Sequence, residues 1–162
     1  MCMMVYVASD YPLPTLAWDQ DNPRFHTADL SKQDEPVRRH FSKPCVYYVG
    51  SHDRCGCGFQ WGEDEGFEDE ADLPAKKESR RRLAEFLVGA LQDQPAVEVY
   101  ACWDGDQAAP ANRNERVRPA KLPESRTFFR VRELLVVSEL PAKPGAAADH
   151  GNRWRLARGE IS

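Results

Sequence analysis

"CMMVYVAS" (residues 2–9) decides the architecture. Nearly every side chain in it is apolar. It therefore predicts a strand covered on both faces, at the centre of a sheet rather than at its margin. "DYPLP" (10–14) ends it, because neither proline can donate to a strand ladder.

Three further segments supply neighbours. "CVYYVGS" (45–51) is rich in β-branched and aromatic residues, with Pro44 before it and glycines after it. "AVEVYACW" (96–103) alternates: Val97, Val99, Ala101 and Trp103 fall on one face, and Glu98, Tyr100 and Cys102 on the other. "TFFRVRELLVVSEL" (127–140) reads as a long strand with Phe129, Val131, Leu135 and Val137 on one face and Arg130 and Arg132 on the other. A weaker strand is expected within 24–30.

One helix stands out, over about 74–93. Leu83, Phe86, Leu87, Ala90 and Leu91 repeat at i, i+3, i+4, i+7 and i+8, an apolar stripe. Asp72 or a neighbouring acid suits its cap, Pro74 its first turn, and Pro95 its end. The cations Lys76, Lys77, Arg80, Arg81 and Arg82 read as a solvated face, neutralised by the acidic run "EDEGFEDEAD" (63–72). Residues 104–119 read as a loop, with Gly105 at positive φ in the turn "WDGD".

One helix cannot sheathe both faces of a parallel doubly wound sheet. The expected fold is α+β: a mainly antiparallel or mixed sheet with one principal helix packed across a face. Residues 1–140 form a single domain, and 141–162 a flexible linker and basic C-terminal tail. The second face of the sheet needs loops or another subunit, which argues for a homo-oligomer, most simply a homodimer.

Net charge is −4, divided as −8 over residues 1–75 and +4 over 76–162, with a pI of about 5.6. A nucleic-acid-binding domain usually has a basic footprint, so that partner is disfavoured. No apolar run reaches the roughly 20 residues that span a bilayer, so no membrane partner is expected. The N-terminal stretch lacks the basic and apolar regions of a signal peptide, which predicts a cytoplasmic location. Five cysteines at irregular spacing fit reduced thiols better than a disulfide framework.

The chemistry sits in the His/Cys/Gly-rich loop 50–59, "GSHDRCGCGF". His52, Cys55 and Cys57 are three metal donors within six residues, and glycines let a chain fold back so that close donors converge. Cys2 or Cys102 would complete a tetrahedral Zn²⁺ site if its strand lies beside 45–51. Tyr48, Phe59, Trp61 and Trp103 are candidate pocket walls. The first reading is thus a non-catalytic metal- or small-ligand-binding domain. The second is a thiol enzyme in which Cys55 or Cys57 is the nucleophile and His52 its base. The third is a non-catalytic, homo-oligomeric interaction module. A plainer alternative stands beside all three: a tight glycine turn whose small thiols are packing. His26, His40 and His150 have no donor neighbours in sequence and read as structural or surface residues.

Overall fold

In the computed structural model, which describes residues 1–60, 71–123 and 129–139, the segment 2–9 becomes β1 (Met3–Ser9), inside a six-stranded sheet. The other strands are β2 (His26–Asp29), β3 (Cys45–Gly50), β4 (Val97–Trp103), β5 (Arg113–Val117) and β6 (Glu133–Val137). Their order is β2-β3-β1-β4-β6-β5. Every neighbouring pair is antiparallel except β5 and β6, which run parallel. The helix, α1 (Leu73–Ala90), lies on one face, so the α+β mixed-sheet expectation holds. Among the described residues no helix is long and apolar enough to cross a membrane.

Strand alternation divides β1 between two cores. Met3, Val5 and Val7 join Val97, Val99 and Ala101 of β4 and Leu83, Leu87 and Ala90 of α1 in the larger cluster. The predicted helical stripe and the two faces assigned to 97–103 are therefore those observed. Arg80 is not: it is 1% exposed, and its Nε donates to the Phe59 carbonyl. It leaves the solvated cationic face because its head finds a buried backbone acceptor in the 56–59 turn. Burial pulls its pKa down to about 10.

On the opposite face Tyr6, Ala8, Val46, Tyr100 and Cys102 are covered by the chain itself. A 3₁₀ segment, Glu35–His40, brings Val37 onto them, with Leu30, Phe41 and Ala111 alongside. Of the two covers expected for this face, loops or another subunit, loops of the same chain supply it here. Hydrogen bonds fasten the segment. The Tyr6 hydroxyl donates to Asp34 Oδ1 at 2.6 Å, Gln107 Nε2 donates to the same oxygen at 3.3 Å, and Ser31 Oγ donates to Asp34 Oδ2 at 2.5 Å. The Ser42 amide and hydroxyl donate to Glu98 at 2.8 and 2.5 Å. His40 stacks on Tyr100 with ring centroids 4.2 Å apart.

Two expectations need correction. Residues 113–117 form a strand rather than loop, and 131–132 form a turn rather than part of a long strand. The cause of the second is Arg132, at φ 64, whose N–H donates to the Ala101 carbonyl at 2.7 Å and whose carbonyl accepts from Asn112 at 2.9 Å. That reversal aligns β5 beside β6. Gly105 does lie at positive φ, 97°. The acidic run up to residue 70, Trp61 and the tail 141–162 lie outside the described residues.

Candidate functional site

The turn after β3 is closed by its own polar groups. The Ser51 amide and hydroxyl both donate to the Cys55 carbonyl, at 3.0 and 2.6 Å. Tyr48 Oη–H donates to the Arg54 carbonyl at 2.6 Å, and Arg54 takes φ 68. The Arg54 guanidinium lies 3.8 Å over the Trp18 ring, whose Nε1–H donates to the His52 carbonyl at 3.1 Å.

A 3₁₀ turn, Gly56–Phe59, then packs against β1. A methyl group at Gly56 would stand 2.6 Å from Val5 Cγ2 and 2.9 Å from the Met3 carbonyl oxygen. One at Gly58 would stand 2.2 Å from Ser51 Oγ and 2.8 Å from His52 Cε1. These approaches admit only glycine, which explains the alternation Cys-Gly-Cys-Gly. Their product is a placed sulfur: Cys57 Sγ accepts the Met3 N–H at 3.3 Å.

That sulfur is acidic. Its pKa falls to about 6, chiefly because the Cys55 thiol donates a hydrogen bond to it, with the Met3 N–H adding to the effect and burial opposing it. The Cys55 thiol is pushed up by the same bond and by burial. The two thiols form a donor–acceptor pair with the charge on Cys57.

His52 faces elsewhere. Its backbone N–H donates to Ser79 Oγ at 3.1 Å. Its Nδ1 lies 3.0 Å from the same oxygen, and its Nε2 lies 2.9 Å from Asp72 Oδ1 and 3.5 Å from Asp53 Oδ1. A neutral ring with the proton on Nε2 satisfies both contacts: it donates to Asp72 and accepts from Ser79. Asp72 sits at the N-cap of α1 without a side-chain capping bond, because its carboxylate is turned to His52. Ser79, His52 and Asp72 match a hydrolase triad in composition only. Ser79 is 1% exposed within α1, so no substrate reaches its oxygen.

Among the described residues, the one set of three metal-type donors whose ligating atoms all lie within 4.8 Å of one another is His52, Asp53 and Asp72. The cysteines are not in it. Cys102 is buried with Tyr6 and Ala8 on the far face of the sheet, whereas Cys57 packs against the helix-side core. Burial raises the Cys102 thiol to about 12. Cys2 is exposed and lies within electrostatic reach of Cys55. Phe59 is sealed in the core rather than lining a pocket, and Tyr48 packs against the other cluster.

A cleft of about 500 Å³ connects the two groups. Cys57, Asp53 and Asp72 open onto it beside Lys76, Gln60 and Arg130, with Met3, Phe129 and Trp103 as apolar lining. Gln60 Nε2 donates to the Phe129 carbonyl at 2.6 Å and holds the rim together. A second depression, of about 720 Å³, lies between residues 16–25 and Arg82 and contains no thiol or imidazole. Asp72, Ser79, Lys76 and Arg130 escaped the sequence reading of the site. Asp72 carried a signal, as a cap whose carboxylate was free to serve elsewhere; the others carried none. Comparison of the chain with protein-family models, with curated proteins and with solved structures finds no match.

Proposed function

We propose that the protein is a thiol-dependent enzyme in which Cys57 is the nucleophile of the cleft. The observation that carries the reading is the Cys57 sulfur itself: it opens onto a 500 Å³ cleft while holding the Met3 N–H at 3.3 Å. A thiolate needs such donors to exist at neutral pH. Lys76 and Arg130 offer cationic partners for an anionic group of a bound small molecule, and Trp103 and Phe129 offer apolar surface. His52 is not the base in this reading, because Cys55 and the Met3 amide already stabilise the ionised sulfur. His52 instead holds the Asp72 carboxylate at the edge of the cleft.

The test is alkylation of each cysteine across pH, followed by peptide mass spectrometry. Cys57 labelling should rise with a midpoint near pH 6 and stay flat above about pH 7. A free cysteine peptide, with its ordinary pKa of about 8.5, keeps gaining rate up to about pH 9. A Cys57 midpoint at or above that of the peptide would refute the reading.

A second reading has its own support. His52 Nε2, Asp53 and Asp72 form a compact N/O donor set for a divalent cation such as Zn²⁺. Moving the imidazole proton to Nδ1, where Ser79 Oγ can accept it, frees Nε2 to ligate. Protein purified without chelator should then carry close to one equivalent of metal, lost in Asp53→Asn. Less than about a tenth of an equivalent excludes a tight site.

A further inference from the structure

We infer that Cys55 and Cys57 act together as a dithiol, and that the substrate class of the cleft is a disulfide. The inference rests on the reading of Cys57 as a nucleophile and adds the reaction it performs. Three observations converge on it. The thiols are separated by one glycine that cannot be replaced, because the 3₁₀ turn meets Met3 and Val5 at that point. Cys55 caps the same turn one residue before Gly56, and its side chain interacts with that of Cys57, so a second thiol stands beside the first. And Cys57, not Cys55, lines the cleft, which assigns the attacking and resolving roles by access.

The step balances without a further reagent. The Cys57 thiolate attacks one sulfur of a substrate R–S–S–R′. A Cys57–S–S–R bond forms, the substrate S–S bond breaks, and R′–S⁻ leaves with the electron pair. Cys55 then surrenders its proton to solvent and attacks the Cys57 sulfur. A Cys55–Cys57 disulfide forms and R–S⁻ is released. The protein dithiol is oxidised by two electrons and the substrate disulfide is reduced.

The experiment uses the full chain carrying Cys2→Ser and Cys45→Ser, without air, with one equivalent of 5,5′-dithiobis(2-nitrobenzoate) as the disulfide. The expected result is release of both nitrothiobenzoate anions, no retained adduct, and a protein mass lowered by two hydrogens. Peptide mapping should place the new bond between residues 55 and 57. Adding Cys55→Ser should halve the anion released and leave a stable mixed disulfide on Cys57. If the Cys55-containing protein also keeps the adduct on Cys57, the dithiol inference fails and the nucleophile reading stands. If Cys57 takes up no reagent in either protein, both fail. The mapping of the Cys55-containing protein decides the matter even where the triple variant does not fold.

Discussion

On one face of the sheet, Leu83 and Leu87 of α1 share a cluster with Val5, Val7, Val99 and Phe59, an interface of hydrocarbon against hydrocarbon. On the other face, residues 30–41 and 104–111 lie over Tyr6 and Tyr100. There the contacts that fix position are polar: Tyr6 to Asp34, Gln107 to Asp34, Ser42 to Glu98, and Tyr100 Oη to the Ala109 carbonyl at 2.7 Å. Apolar burial is non-directional and scales with area, at about 25 cal/mol per Å². A buried hydrogen bond contributes only about 1 kcal/mol net, yet leaving one partner unsatisfied costs about 1–3 kcal/mol. The helix side is thus held by quantity, and the far side by fit.

The difference can be broken at its strongest point first. Leu87 is fully buried. Leu87→Ala should cost about 3–4 kcal/mol in urea unfolding, the transfer term plus the cavity it leaves. Tyr6→Phe, which keeps the ring and deletes the donor to Asp34, should cost about 1–2 kcal/mol. If the tyrosine variant proved the more damaging of the two, the assignment of quantity to one side and fit to the other would be reversed.

Acid sharpens the contrast with a smaller effect. His26 projects from β2 toward Tyr48, ring centroids 5.9 Å apart, on the face away from α1. Burial lowers its pKa, so the neutral ring is the form that the fold favours. Its contribution is complete above the ordinary histidine value of about 6.5 and is lost as pH falls through and below that value. Urea midpoints at pH 7.5 and 5.5 should drop more for the parent chain than for His26→Phe; equal drops would remove the histidine from the account.

The same contrast explains what could be read from the chain in advance. β1 announces itself by an unbroken apolar run, β3 by β-branched and aromatic content, β4 by alternation and α1 by its 3.6-residue apolar stripe. The far side left no such trace: in residues 30–41 only Leu30, Val37 and Phe41 carry the packing, and Asp34 works through bonds to residues far away in sequence. β5, Arg-Asn-Glu-Arg-Val, has one apolar residue at its end and no strand pattern. The long strand over 127–140 was overdrawn because nothing in "FRVRE" reveals that Arg132 takes a left-handed conformation. At the site, the thiols and Trp103 were legible as chemistry. His52 was legible as a residue but not in its partners, since Asp72 and Ser79 arrive from α1 and follow no local spacing.

β5 closes one margin of the sheet, and four of its five residues are exposed, two of them arginines and one a glutamate. A hydrogen-bonding rim dressed in this way presents alternating charge to any approaching chain, and charged rims are how β proteins discourage strand-by-strand growth. The molecule therefore offers a poor template for amyloid-like or swapped assembly from that side, and any copy or partner that docks there must do so through side chains rather than by extending the ladder.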